Sequence, residues 1–260
     1  MQPIEITFLG TGTSQGVPMI GCDCAVCQSK DPRDKRTRSS IYVKTPEAAW
    51  VVDTGPDFRE QVLREKIRWL DAVVYTHSHT DHVMGFDDLR RFCDARAGTM
   101  PIYASQETMT DLERVFDFAF NGTATFPGYV KPEKHLVDAP FLLGDTTLTP
   151  LPVKHGRAHV FGYLLTQNGV KRAAYLSDCK TVSAATVVAL QDVPVLIVDA
   201  LRHRPHPTHM NLEEALAFRK LVGAKRTWLT HLCHDLGHEE TEATLPEDVR
   251  VAFDGLKITV

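Results

Sequence analysis

The sequence predicts an α/β protein: two sheets packed together with helices outside. Two observations carry that expectation. Strand-like segments fall into two batches with helical patterns between them, and polar residues able to ligate metals sit just past the apolar runs. No repeat or low-complexity tract interrupts the 260 residues, which read as one domain over 1–260.

The first batch of strands comprises Ile4–Leu9, Ser40–Lys44, Ala49–Val52 and Ala72–Tyr75. The second comprises Thr147–Pro152, Phe161–Leu165, Ala173–Leu176, Val195–Val198, Arg226–Leu229 and Leu256–Val260. Val, Ile, Leu, Tyr and Trp dominate these runs, and Gly, Pro, Asp or Asn punctuate the gaps. Helical patterns cover Phe58–Glu65, Asp87–Ala95, Glu107–Phe118, Ser183–Gln191 and Asn211–Val222. The last has the fullest signature. Asn211 can cap it with Glu214 three residues on, Leu212, Ala215, Leu216 and Phe218 form a stripe, and Gly223 supplies the stop. The segment 103–135 is the least regular, and its aromatic-rich middle is a candidate lid or partner surface. "GTGTSQG" at 10–16 has neither dinucleotide-fingerprint nor P-loop spacing and reads as a tight turn.

A formal net charge of −4 argues against sequence-independent binding of long nucleic acid, which needs a basic face. It leaves room for a small anionic ligand held by a few cations. "MQPIEITFLGTG" enters a strand pattern at once, with no basic leader and no apolar core of the kind a signal peptide needs. No membrane span is expected, since no apolar run approaches ~18 residues. Three of the six cysteines bunch in "GCDCAVC", which in a reducing compartment indicates metal binding rather than disulfides. The expected location is the cytoplasm.

"YTHSHTDHVMG" at 75–85 places three histidines and an aspartate within six positions, directly after the apolar run "LDAVV". In extended backbone, residues two apart project to the same side, so His77, His79 and Asp81 can converge beyond the strand end. His82 points elsewhere until the chain turns towards a helix. Imidazole nitrogen and carboxylate oxygen suit zinc, iron and manganese. Four donors do not complete two metal sites, and the remaining donors are expected at other strand ends. His155 in "LTPLPVKHG", Asp178 in "AAYLSDCK" and His231 in "RTWLTH" repeat one layout: apolar strand, small residues, ligand.

His77-x-His79-x-Asp81-His82, followed by His155, Asp178 and His231, resembles the metallo-β-lactamase superfamily through nearly the whole chain. The resemblance implies an αβ/βα sandwich of two mixed sheets with a dinuclear centre at their edge. It assigns His77, His79 and His155 to one metal and Asp81, His82 and His231 to the other, with Asp178 bridging. Asp81 thereby also carries a catalytic role, and Asp53 in "WVVDTG" matches an aspartate that buttresses the ligands. Two cations 3.5–4 Å apart can share a hydroxide and neutralise a transferring phosphoryl group, so hydrolysis of a phosphodiester is the expected reaction. The catalytic pair of divalent ions can be zinc, manganese or iron.

Cys22, Cys24 and Cys27 need a fourth donor to close a tetrahedral zinc site. "THLCHDLGH" offers His234, with Cys233 and His238 as competitors. The cysteine pattern beside "GTGTSQGVP", with "THxxH" near the carboxyl end, is similar to the phosphodiesterases of phosphonate-degradation operons, which act on phosphoribosyl cyclic phosphate. That resemblance implies a structural zinc on Cys22, Cys24, Cys27 and His234, a homodimer, and a further catalytic histidine matching His209, for which His203 and His206 compete. A tRNA 3′-processing nuclease shares the ligand set, but no Gly- and Pro-rich arm is evident. A thioesterase or lactonase on the same scaffold is a further alternative.

Overall fold

The computed structural model describes residues 2–96, 98–122 and 128–260. Strands β1 (Glu5–Gly10), β2 (Ser40–Lys44), β3 (Ala49–Val52), β4 (Ala72–Val74), β5 (Met100–Ala104) and β6 (Pro132–Leu136) lie in one sheet. A second sheet holds β7 (Phe141–Leu143), β8 (Thr146–His155), β9 (Ala158–Gln167), β10 (Val170–Leu176), β11 (Thr181–Val182), β12 (Val195–Asp199), β13 (Arg226–Thr230) and β14 (Val249–Val251). The last strand, β15 (Lys257–Thr259), returns to the first sheet, whose order is β15-β1-β2-β3-β4-β5-β6. The second sheet runs β11-β8-β9-β10-β12-β13-β14, with β7 beside β8.

Both sheets are mixed, in the same way. Pairing is antiparallel from β15 to β3 and parallel from β3 to β6; in the second sheet it is antiparallel from β11 to β10 and parallel from β10 to β14. Parallel strands put their carboxyl ends on one edge, where the following loops gather.

The helices are α1 (Phe58–Arg64), α2 (Thr80–Val83), α3 (Arg90–Arg96), α4 (Gln106–Val115), α5 (Asp117–Phe120), α6 (Ala184–Leu190), α7 (Leu212–Leu221) and α8 (His238–Glu242). Strand side chains alternate between two destinations. In β3, Trp50 and Val52 face the space between the sheets with Tyr163, Tyr175 and Ile197, whereas Val51 joins Phe58, Phe86 and Phe92 beneath the helices. In β12, Val195 and Ile197 face inward, and Leu196 and Val198 pack with Ala215 and Phe218 of α7. Being buried on both faces explains why these strands read as continuous apolar runs. Burying a side chain of this size contributes about 1.5–3 kcal/mol. The capping box on α7 is present, with Glu214 N–H on Asn211 Oδ1 and Asn211 N–H on Glu214 Oε2, each 2.8 Å.

Several expectations change. Leu256–Val260, expected in the second batch, instead supplies β15, which pairs antiparallel with β1 (Ile6 opposite Ile258) at the edge of the first sheet. Five strands lacked a sequence signal: β5, β6, β7, β11 and β14. The helix expected over Asp87–Ala95 begins as a 3-10 turn at Phe86–Leu89 and becomes α3 at Arg90. The pattern at Glu107–Phe118 breaks at Phe116 into α4 and α5. Within 103–135, Phe116 and Phe120 stack on Phe86, with ring centroids 4.6 and 5.6 Å away. Residues 123–127 of that candidate lid lie outside the described residues. Among the described residues no helix is long and apolar enough to cross a membrane.

Candidate metal centre

The seven residues singled out in the sequence converge at one edge of the two sheets. His77, His79, Asp81 and His82 follow β4, with Asp81 and His82 in the short helix α2. His155 ends β8, Asp178 follows β10, and His231 follows β13. Asp53 (φ 65°), Asp178 (φ 29°) and His231 (φ 58°) all adopt left-handed backbone immediately beyond strands, a strained conformation for residues with a Cβ. Gly55 is required by close approach: a Cβ there would lie 2.2 Å from the Asp81 carbonyl oxygen.

Ligating atoms of His77, His79, His155 and Asp178 lie within 4.8 Å of one another, as do those of Asp81, His82, Asp178 and His231. Asp178 belongs to both groups, and its two oxygens divide between them. Oδ1 is 3.1 Å from both His82 Nε2 and His231 Nε2. Oδ2 is 3.8 Å from His77 Nε2 and 3.6 Å from His155 Nε2.

The outward ring nitrogens are braced, and the bracing fixes the tautomers. The Thr76 hydroxyl donates to Asp53 Oδ2 (2.8 Å), so at its 3.0 Å contact with His77 Nδ1 it must accept. His155 Nδ1 is 2.9 Å from the Thr208 carbonyl, which can only accept. His82 Nδ1 meets Asp53 Oδ2 at 2.7 Å, so Asp53 buttresses the site as expected. Each Nδ1 therefore carries a proton, which leaves the Nε2 lone pair for the interior. His77 Nε2, His82 Nε2, His231 Nε2 and Asp178 Oδ1 are buried, and none meets hydrogen-bond geometry with a protein partner among the described residues. Orphaned polar atoms are costly unless something else binds them, and this donor set suits divalent ions.

The electrostatics agree. Burial alone would depress His82, yet Asp178, Asp81 and Asp53 raise it well above the ordinary histidine range. Burial also opposes His231, and Asp178, Asp81 and Asp199 lift it to about 9. Conversely, burial would raise Asp178, but His231 and His82 hold it far below the usual carboxylate range. The carboxylates demand positive charge at the centre.

His209 also belongs here. Its ring stacks on His231 with centroids 4.7 Å apart and stands edge-on to His155 at 4.5 Å. Asp199 Oδ2 holds His209 Nδ1 at 2.7 Å, and Nε2 has no protein partner among the described residues. Of its competitors, His206 lies one ring away at 5.1 Å, whereas His203 is exposed. Sequence reasoning missed Asp199. Its signal was available, because "VLIVD" repeats the layout of an apolar strand ending in a ligand-type residue.

The second cluster lies on the rim. Cys22, Cys24 and Cys27 place their sulfurs 3.1, 3.4 and 3.6 Å from His234 Nδ1. A tetrahedral zinc with ordinary bond lengths would hold sulfur and nitrogen about 3.6 Å apart. The Cys27 N–H bonds the Cys24 sulfur (3.4 Å) and lowers that thiol to about 7, towards the thiolate a metal takes. The competitors are engaged elsewhere: the Cys233 sulfur accepts from Asp235 N–H, and the His238 ring packs on Phe253. Buried Arg36 secures this loop through Asp34 (3.2 Å) and the carbonyls of Cys233 (3.0 Å) and Leu236 (2.7 Å).

A family model described as "Beta-lactamase superfamily domain" matches residues 50–232. A solved structure described as a new diphosphatase from the PhnP family is 41% identical, with TM-score 0.92 over 100% of this chain and 98% of that one. An octanoyltransferase of Porphyromonas gingivalis (strain ATCC BAA-308 / W83) is 36% identical over 97% of this chain and 51% of its own, so the chain spans about half of that curated relative. Human tRNase Z, short form, shares the fold at 20% identity, with TM-score 0.70 over 98% of each chain. A match over more than half of the residues, on a fold that overlays a PhnP-family structure almost end to end, makes this chain a member of the metallo-β-lactamase superfamily of hydrolases.

Proposed function

We infer that the chain is a dinuclear metal-dependent phosphodiesterase acting on small anionic phosphodiesters, cyclic ribose phosphates among them. The observation that supports this most is the division of the Asp178 carboxylate, one oxygen facing His82 and His231 and the other facing His77 and His155. A bridging carboxylate between two half-sites is what a pair of ions needs and a single ion does not. His77, His79 and His155 would hold one divalent ion, Asp81, His82 and His231 the other. When bound, such a pair supplies an activated water at neutral pH and positive charge for the phosphoryl oxygens.

The chain's own residues do the rest. Asp53 and Thr76 keep the Nε2 lone pairs of His82 and His77 aimed inward. Asp199 fixes the Nδ1 proton of His209 and presents the other ring nitrogen at the rim, where it serves as general acid for the leaving oxygen. Cys22, Cys24, Cys27 and His234 would hold a structural zinc that ties the amino-terminal loop to the His231 loop.

The 41% identity with a PhnP-family diphosphatase supports hydrolysis at a phosphoryl centre. The tRNA-processing reading has the shared fold and ribonuclease Z relatives at 26–28% identity behind it, and the net charge of −4 opposes it. The test is turnover of bis(p-nitrophenyl) phosphate, adenosine 2′,3′-cyclic phosphate and a precursor tRNA by protein loaded with zinc, manganese or iron. Hydrolysis of the small diesters with tRNA left intact is expected. Efficient tRNA cleavage, or a thioester or lactone as the sole substrate, overturns the reading.

A further inference from the structure

Two clefts meet on the outer face of the first sheet, one of about 400 Å³ and one of about 330 Å³, and Ile67 and Arg68 wall both. They flank the turn that leads from α1 into β4, and no ligand of the metal centre lines either. Backbone bonds fix that turn. Ile67 N–H donates to Val62 O (3.0 Å) and Lys66 N–H to Leu63 O (3.2 Å), the pair of bonds that closes a helix on a left-handed residue. That residue is Lys66, at φ 55°, where glycine or asparagine is usual.

The two clefts differ in chemistry. The first has an apolar floor, made by Val62, Ile67 and the buried rings of Phe58 and Phe92, whose centroids lie 6.3 Å apart. Asp88 stands in its wall. Burial raises that carboxyl, Arg59 opposes the shift, and the side chain has no hydrogen-bond partner among the described residues. The second cleft is lined by Lys44, Lys66, Lys257 and the shared Arg68. Of its two carboxylates, Glu65 is already engaged by Arg64 at 2.8 Å, which leaves Glu5. Lys257 reaches Glu65 at 3.9 Å, too long and exposed a pair to hold it. The side chains of Lys44, Lys66 and Arg68 make no hydrogen bond or ion pair among the described residues. In a chain of net charge −4, unpaired cations converging on one concavity favour a ligand of concentrated negative charge.

We propose that the two clefts together bind a purine nucleoside polyphosphate, at a site separate from the metal centre. The base lies in the first cleft and the phosphates cross Arg68 into the second. The floor suits a flat ring, and Asp88 accepts from a ring N–H or an exocyclic amine. Arg68 and the three ammonium groups take the phosphate oxygens through charge-assisted hydrogen bonds. An acyl anion would leave the Asp88 carboxylate against hydrocarbon, and an inorganic polyphosphate would leave the apolar floor to water.

The test is calorimetric titration of the metal-loaded protein with GTP, ATP, guanosine and inorganic triphosphate. GTP or ATP should bind about tenfold or more tightly than guanosine or triphosphate, because neither fragment fills both clefts. Arg68→Glu and Lys44→Glu, both at exposed positions, should each weaken the nucleotide about tenfold with the melting temperature unchanged. Asp88→Ala should weaken GTP and leave inorganic triphosphate as it was. Asp178→Asn, titrated alongside, identifies a nucleotide held by the metal centre instead. Binding that Asp178→Asn abolishes and both cleft variants retain overturns the proposal. Equal affinity for GTP, ATP and inorganic triphosphate, or no nucleotide binding by the parent protein, overturns it as well.

Discussion

The two metal-ready clusters are built on opposite plans. The His–Asp centre draws its ligands from four separate strand ends, is largely buried, and braces its rings with residues that never reach the interior: Asp53 behind His82, Thr76 behind His77, the Thr208 carbonyl behind His155. The cysteine cluster takes three ligands from one six-residue stretch and a fourth from the 233–238 loop. Among the described residues its His234 has no comparable brace, and Asp235 Oδ1 stands 3.8 Å from Nε2. One is a preorganised cavity whose polar atoms lack partners. The other is a clip between loops. Ligands with left-handed φ and orphaned buried ligating atoms gather at the first, whereas at the second the orphaned atoms, Arg36 Nε and His238 Nδ1, belong to supporting residues and not to the ligands, as expected where geometry serves chemistry rather than tethering.

That contrast is broken most directly at Asp178. Replacing it with Asn removes the charge that both half-sites share, so turnover should fall below detection while far-UV dichroism stays native. The check is ion content by mass spectrometry alongside diester hydrolysis. Full occupancy with unchanged turnover would refute the bridging role.

Cys24→Ser should act in the opposite sense. Losing a structural metal belongs to the few single changes costing about 4–5 kcal/mol or more. In a chain of this length that lowers Tm by roughly 10 °C. The catalytic ions should stay bound. A variant that melts like its parent would show the clip to be idle.

Asp53→Asn tests the bracing itself. It keeps the shape but loses the carboxylate that holds His82 Nδ1 and Thr76, and such outer partners are worth 10–100-fold in metal affinity or activity. Competition with a chelator of known affinity measures the loss. No change in affinity would mean that His82 is oriented by its helix alone.

How much of this was legible beforehand follows the same division. His77, His79, Asp81 and His82 are contiguous, and His155, Asp178 and His231 each follow an apolar run, so local patterns pick them out. Cys22, Cys24 and Cys27 announce themselves by spacing. What stayed hidden depends on partners distant in sequence. The brace on His155 is a backbone carbonyl, which no residue type can signal. Asp199 looks like any strand-ending aspartate until the fold sets it against His209. Strand β6, "PEKHL", is exposed along much of its length and opens on proline; only pairing with β5 makes it a strand. The β15–β1 pairing joins the two ends of the described chain, a contact without local trace.

The smallest effect sharpens the comparison most. If the rim cluster is a clip that needs no orienting partner, Asp235→Asn should leave Tm nearly unchanged, within about 0.5 kcal/mol of the parent, as for a surface change away from any buried feature. Its bound zinc should resist chelation as well as the parent's does. Asp53→Asn, chemically the same substitution, should cost the buried centre far more. Chelation and melting curves for the two variants side by side decide the matter. Equal losses at both positions would mean that the cysteine cluster is oriented from behind like the catalytic one, and that the difference between cavity and clip is only one of burial.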